Sequence, residues 1–322
     1  MEKTCLVPLY LSQIKCASLP NHFSISFHSS QYIILLYVQR QSSSKMAASA
    51  AAVLVRYCLL LLCAAAAAVA QEVVAPPHDE DNDTVLQSSS SSNYCLSWRL
   101  GAETNNVRGW WTVPAQCCGY IQAYMAGSGQ YQRDVDLIVD QIMGHASNVA
   151  ASITTGAAGD EGGGDDGLDA WVLDVDDTCL SNMLYYKTRR SYGCLPYEPL
   201  SFRAWASKAR SPAIPAVLGL FNYLRDAGFK VFLVTGRDAE ALGDATRLNL
   251  LRQGFVGYHR LILRTASYRG QSGEVYKSEM RRQVMEEGYR IWGNVGDQWS
   301  DLLGHSLGNR TFKLPNPMYF VP

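Results

Sequence analysis

The sequence predicts an α/β fold, a parallel sheet flanked by helices, and three observations predict it. Five short apolar runs, at 170–173, 230–234, 260–263, 290–295 and 311–314, alternate with segments of helical spacing. Strands that alternate with helices pair in parallel and are covered on both faces. Polar residues cluster just after three of the runs, at Asp174, Thr235 and Asp297, and in such sheets chemistry collects at the carboxyl ends of strands. The third is bulk: 322 residues, 48% hydrophobic and 18% charged, hold enough apolar material for one large domain or two small ones.

The first seventy residues do not read as fold. Residues 46–70, MAASAAAVLVRYCLLLLCAAAAAVA, combine a basic flank (Arg56), an apolar core from Tyr57 to Ala68 and a small-x-small end at 68–70. That is the pattern of a secretory signal peptide. Its apolar run of about 14 residues falls short of the roughly 20 that cross a bilayer, so no stable membrane span is expected in the mature protein. A signal works from an amino terminus, so residues 1–45 read as a non-native or alternative-start extension. Residues 71–93, acidic and then Ser-rich, are expected to be a disordered leader, and 94–322 the folded domain. Residues 71–322 hold 23 basic and 28 acidic residues, a net charge of −5; without a basic excess, nucleic acid is not an expected partner. Scattered histidines exclude a His-rich metal cage. Secretion permits disulfides among Cys95, Cys117, Cys118, Cys179 and Cys194, but five is odd and the pairing stays open. Sequons stand at Asn82 and Asn309.

Within the domain, 114–125 and 133–150 have helical spacing, with Val135, Ile138, Ile142 and Met143 on one face, and form an N-terminal helical extension. Gly156–Gly167 reads as a flexible loop. Further helices are expected at about 212–227, 239–253 and 276–287, where Pro212 and Pro215 suit a first turn and Gly228 a helix end.

The polar clusters come in a definite order. Strand 170–173 leads into Asp174-Val175-Asp176-Asp177-Thr178, and 230–234 into Thr235-Gly236-Arg237. Lys277 opens the helix at 276, and 290–295 leads into Gly296-Asp297, with Asp301 four residues on. Each piece alone is ordinary turn or cap chemistry; together, at successive strand ends, they argue for one site. The set D-x-D-x-T, Thr, Lys, G-D-x-x-x-D resembles the haloacid dehalogenase-type (HAD) hydrolases, whose fold is Rossmann-like. It is closer still to plant acid phosphatases related to vegetative storage proteins, through CLSWR (95–99), WTVP (111–114), Tyr124-Met125, Leu180-Ser181-Asn182, Tyr185-Tyr186 and FKLPNP (312–317). The resemblance covers about residues 94–322. Asp177 departs from it, standing where Glu is more usual, at a position expected to alternate away from the site.

The resemblance implies hydrolysis of phosphomonoesters through an aspartyl-phosphate. Asp174 would be the nucleophile and Asp176 the general acid, then the base that activates water; an acidic optimum follows if Asp176 must hold a proton as the leaving group departs. A hard oxygen site suits Mg²⁺; the implied ligands are the Asp174 carboxylate, the Asp176 backbone carbonyl and Asp297, with Asp301 in support. Thr235 and Lys277 would meet the phosphoryl oxygens, and Arg237 would add a bidentate phosphate contact. The Tyr-, Phe- and Trp-rich stretch 183–211 would be a small cap insertion over the site; a satellite hydrophobic cluster is the other reading of the same residues. Small-molecule phosphomonoesters are the expected partners, and a homodimer is left open. The expected compartment is the secretory pathway, ending in the extracellular space (apoplast) or the vacuole. Two other functions fit the same residues: a storage glycoprotein with little or no catalysis, and phosphotransfer to an acceptor alcohol. No Arg-His-Gly or Cys-x5-Arg motif supports another phosphatase chemistry.

Overall fold

The computed structural model describes residues 24–26, 35–37, 83–127, 129–155 and 166–322. The signal segment 46–70, almost all of 1–45, residues 71–82 and the loop 156–165 lie outside the described residues. The chain divides into two units, Met1–Asp79 and Glu80–Pro322. In the first, Ser24–Ser26 pairs antiparallel with Leu35–Tyr37.

The second unit is built on five parallel strands: β1 Asp169–Asp174, β2 Lys230–Asp238, β3 Arg260–Arg264, β4 Arg290–Gly296 and β5 Arg310–Lys313, in the order β3-β2-β1-β4-β5. All six residues of β1 are buried, as an apolar run covered on both faces must be. Side chains alternate between the faces. Trp171, Leu173, Val231, Leu233 and Val295 point into one core, shared with Ile142 of the long helix Gln130–Thr154 and with Leu220 and Phe221 of Pro215–Asp226. Ala170, Val172, Phe232 and Val234 point into the other, against Tyr276, Met280 and Val284 of Gly273–Glu286.

The helices are α1 Asp83–Glu103, α2 Cys118–Gln122, α3 Gln130–Thr154, α4 Met183–Arg189, α5 Pro199–Ala206, α6 Pro215–Asp226, α7 Ala239–Arg252, α8 Gly273–Glu286 and α9 Trp299–Leu302. α1 corrects the reading of 71–93 as a disordered leader: residues 83–93 are helical. Cys95 and Trp98 of α1 are buried in the core, and a helix nucleated there extends at one hydrogen bond per added residue, even into polar sequence. α4 and α5 lie within residues 183–211. No helix among the described residues is long and apolar enough to cross a membrane.

Two disulfides resolve the cysteine pairing, Cys95–Cys117 and Cys118–Cys194, and leave Cys179 free and buried. The second spans 76 positions and ties α2 to the insertion. Loop closure of that size is worth about 4 kcal/mol in the chain-entropy model. The Cys118→Ser/Cys194→Ser variant should therefore unfold at a clearly lower denaturant midpoint; an unchanged midpoint would show that the crosslink does not constrain the unfolded chain.

Candidate active site

From the central β1 the chain moves outward to β2 and β3, then returns to the other side of β1 as β4. The reversal opens a crevice at the carboxyl ends of β1 and β4, where ligands bind in open α/β sheets. Asp174 ends β1, and Asp297 follows β4. Oxygens of Asp174, Asp297 and Asp301 lie within 4.8 Å of one another, and all three residues are buried. Gly296 makes that approach feasible: a Cβ there would lie 2.4 Å from the Asp301 side chain. Asp301 in turn caps its own helix, its Oδ2 accepting from the Gln298 N–H at 2.9 Å.

α8 brings the cation. Ser272 caps it, accepting from the Val275 N–H, and Lys277 and Arg281 follow one turn apart on its inner face. Lys277 Nζ donates to Oδ1 of both Asp174 and Asp301. Arg281 is fully buried and donates to the carbonyls of Asp301 (2.6 Å), Leu303 (2.5 Å), His305 (3.1 Å) and Ser306 (3.1 Å), clamping the loop that carries Asp301.

The charges do not balance. Three carboxyl groups face one ammonium, so two of them have no counter-charge of their own when ionised. Asp174 Oδ2 has no hydrogen-bond partner. Asp297 Oδ2 accepts from Gln298 Nε2 at 2.8 Å and Asn316 Nδ2 at 2.6 Å, whereas its Oδ1 has only Thr178 Oγ1 at 3.4 Å. Two buried oxygens, one on Asp174 and one on Asp297, are thus the least engaged. An all-oxygen donor set with this charge fits a hard divalent cation. The electrostatics carry the same strain. Burial, then Asp301, Asp297 and Asp176, push Asp174 up against the pull of Lys277. Asp297 is pushed up to about 7, first by burial and then by Asp301 and Asp177. Desolvation opposes the Lys277 charge, but Asp174 and Asp301 outweigh it and hold the ammonium well above its usual value.

Arg237 has a carboxylate partner. The β2–β3 register shifts between Thr235 and Asp238, a bulge that takes Gly236 and Arg237 out of the ladder and re-aims the arginine. Its guanidinium grips Asp176, through Nη2 at 2.8 Å to Oδ1 and Nε at 3.1 Å to both oxygens. Thr235 Oγ1 (3.3 Å) and Asn182 Nδ2 (2.8 Å) complete the carboxylate's partners. Burial raises the Asp176 pKa, but Arg237 and the Asn182 hydrogen bond outweigh it and hold the carboxyl below its usual range.

Asp177 is tied into the site's frame. It is buried at a φ of 54°, and its carboxylate accepts from the Asn182 N–H at 2.8 Å and the Tyr319 hydroxyl at 2.7 Å. Burial pushes it up to about 7 against those hydrogen bonds. Tyr319 stacks on Tyr186 with ring centres 4.8 Å apart, Asn316 holds Asp297, and the Val321 N–H donates to Gln298 Oε1 at 3.1 Å. Residues 316–321 therefore strap the Asp cluster to α4. The structure gathers Asp174, Asp176, Thr235, Arg237, Lys277, Asp297 and Asp301 into one site. Sequence reasoning assigned no role to Asn182, Gln298, Asn316 or Tyr319. Asn182 and Asn316 lie inside quoted motifs, so the signal was a side chain whose partner is distant in the chain.

Comparison with known proteins agrees with this geometry. The family model described as HAD superfamily, subfamily IIIB (acid phosphatase) matches residues 82–322. Acid phosphatase 1 of Solanum lycopersicum is 43% identical over 227 residues, covering 70% of this chain and 83% of that one. Vegetative storage protein 1 of Arabidopsis thaliana is 34% identical over 229 residues, covering 71% and 79%. A solved class C acid phosphatase from Bacillus anthracis superimposes with a TM-score of 0.48 at 21% identity, covering 63% of this chain and 85% of that one. On the match across its folded unit and the 43% relative, the chain belongs to the acid phosphatases of HAD subfamily IIIB and is an enzyme of that family.

Proposed function

We propose that the chain is a secreted, Mg²⁺-dependent acid phosphatase that hydrolyses small phosphomonoesters through an aspartyl-phosphate on Asp174. The observation that carries this is the unpartnered Asp174 Oδ2 in a buried cluster of three carboxyl groups with one ammonium. Asp174, Asp297 and the Asp176 backbone carbonyl would hold the ion, with Asp301 in support through Lys277 and Gln298. Bound there, Mg²⁺ supplies charge neutralisation for the phosphoryl oxygens.

The residues divide the remaining work. An Asp174 oxygen attacks phosphorus, the bond to the leaving oxygen breaks, and Asp176 delivers a proton to that oxygen. Water then attacks the same phosphorus and gives a proton to Asp176, and the Asp174–phosphorus bond breaks to free phosphate. Thr235 and Lys277 hold phosphoryl oxygens in line. Arg237 fixes the Asp176 carboxylate, and the proton arrives with the substrate. A phosphomonoester's second pKa is about 6; in acid it is a monoanion that passes its proton to Asp176. The alkaline limb of kcat/KM should accordingly follow the substrate. A phosphomonoester whose second pKa is one unit lower should move that limb down by about one unit, and a limb that stays put would assign it to an enzyme group.

The direct test is p-nitrophenyl phosphate hydrolysis by the purified protein with and without chelator. Activity should fall to background with chelator and return with Mg²⁺; activity indifferent to chelator would reject the ion. Absence of hydrolysis at every acidic pH would favour a storage role, for which the 34% identity to a vegetative storage protein is the supporting likeness. Asn316→Ala strips a donor from the Asp297 carboxylate, and loss of such support costs 10–100-fold in metal affinity. A Mg²⁺ titration followed by melting temperature should show that weakening; an unchanged affinity would mean that Gln298 suffices. Secretion rests on the segment 46–70 and fits two disulfides and an exposed Asn309 sequon.

A further inference from the structure

The insertion 183–211 concentrates positive charge on an acidic protein. It holds six basic residues (Lys187, Arg189, Arg190, Arg203, Lys208 and Arg210) and one acid, Glu198, whereas the rest of 71–322 holds 17 basic and 27 acidic residues. Arg190 is engaged with Glu198 at 2.7 Å. The other five are exposed, and among the described residues no ion pair engages them.

Both stems of the insertion meet beside Asp176. Asn182, just before α4, donates to Asp176 at 2.8 Å, and the Ser181 N–H donates to the Pro212 carbonyl at 2.8 Å. At 1.5 Å per helical residue, Lys187 and Arg189 stand about 8 and 11 Å of rise beyond Asn182. Arg210 is two residues from Pro212, at most about 7 Å of chain. Arg203 follows Phe202 on α5, and the Phe202 ring packs on Tyr185 of α4 with centres 5.3 Å apart. These spacings are comparable to the screening length of about 8 Å at physiological salt.

Among the described residues, the site's own cations are already paired with carboxylates. Lys277 is shared by two carboxylates and Arg237 is spent on Asp176. The exposed cations that stand within these spacings of Asp176 belong to 183–211. Resting on the phosphatase reading above, we infer that the cap selects phosphomonoesters whose leaving group bears a further anion, such as a carboxylate or a second phosphate. A like field along a cleft raises encounter rates and local substrate concentration.

The test compares 3-phosphoglycerate with glycerol 3-phosphate, a pair that differs in one carboxylate. Wild-type kcat/KM should favour phosphoglycerate by about tenfold at low KCl, and the preference should shrink at high KCl. In Lys187→Gln/Arg189→Gln/Arg203→Gln the ratio should fall to about one, through KM rather than kcat. Calorimetric binding of the two esters to Asp174→Asn reads the same preference without turnover, so it stands apart from the phosphatase reading. A failed phosphatase reading would show as no p-nitrophenyl phosphate hydrolysis; a failed cap inference would show as equal binding of the two esters. An equal ratio in wild type, or an unchanged ratio in the triple variant, would overturn the inference, as would equal ratios accompanied by binding to phosphatidylserine vesicles, which would assign the patch to an anionic surface.

Discussion

Asp174→Asn is expected to lower turnover of p-nitrophenyl phosphate by about 10⁴-fold or more, the scale seen when a nucleophile is removed. The fold should survive. The amide keeps the size of the carboxyl group and can still meet Lys277, and it removes one of three buried carboxylates, the one that burial, Asp301 and Asp297 push up. Like charges in a buried site oppose ionisation, so the metal-free variant should melt at or slightly above the wild-type temperature. Activity within tenfold of wild type would reject Asp174 as nucleophile. Lost activity together with a large fall in melting temperature would instead mark it as structural.

Lys277→Met is expected to abolish activity and to destabilise the metal-free protein by about 3–5 kcal/mol, because removing one partner of a buried ion pair leaves uncompensated charge. For a domain of this size that corresponds to a fall on the order of 10 °C in melting temperature. The lysine joins Asp174 to Asp301; without it the cluster carries three carboxyl groups and no cation. Mg²⁺ should therefore raise the melting temperature of the variant more than that of the wild type. A variant as stable as wild type without Mg²⁺ would mean that the lysine is not the counter-ion of the cluster.

The β-strands were legible because each is a short apolar run bounded by polar residues. Four of the five observed strands match the expected runs within one residue at each end. The fifth, β2, continues to Asp238 instead of stopping at 234, since a bulge carries the strand through Thr-Gly-Arg. Helix ends were less legible. α8 begins at Gly273 because Ser272 caps it, and α6 begins only at Pro215 because Ala213 bridges to Leu180 and Pro212 receives the Ser181 N–H. A cap or a bridge is a local choice that depends on a distant neighbour.

The sequence by itself determined the strand–helix alternation and the identity of the residues that gather at the crevice. Both are written in local patterns: apolar periodicity, and polar side chains set at strand ends. Only the tertiary structure decided which partner each charge takes. Arg237 lies 61 positions from Asp176, and Lys277 lies 103 from Asp174. An arginine after a strand can reach a phosphate or a carboxylate equally well, and the bulge in β2 aimed it at the carboxylate. The disulfide pairing, the strap at 316–321 and the two carboxyl groups without a counter-charge were likewise invisible until the chain was folded, because Coulomb energy and hydrogen bonding depend on distance in space and burial, neither of which is a property of position along the chain.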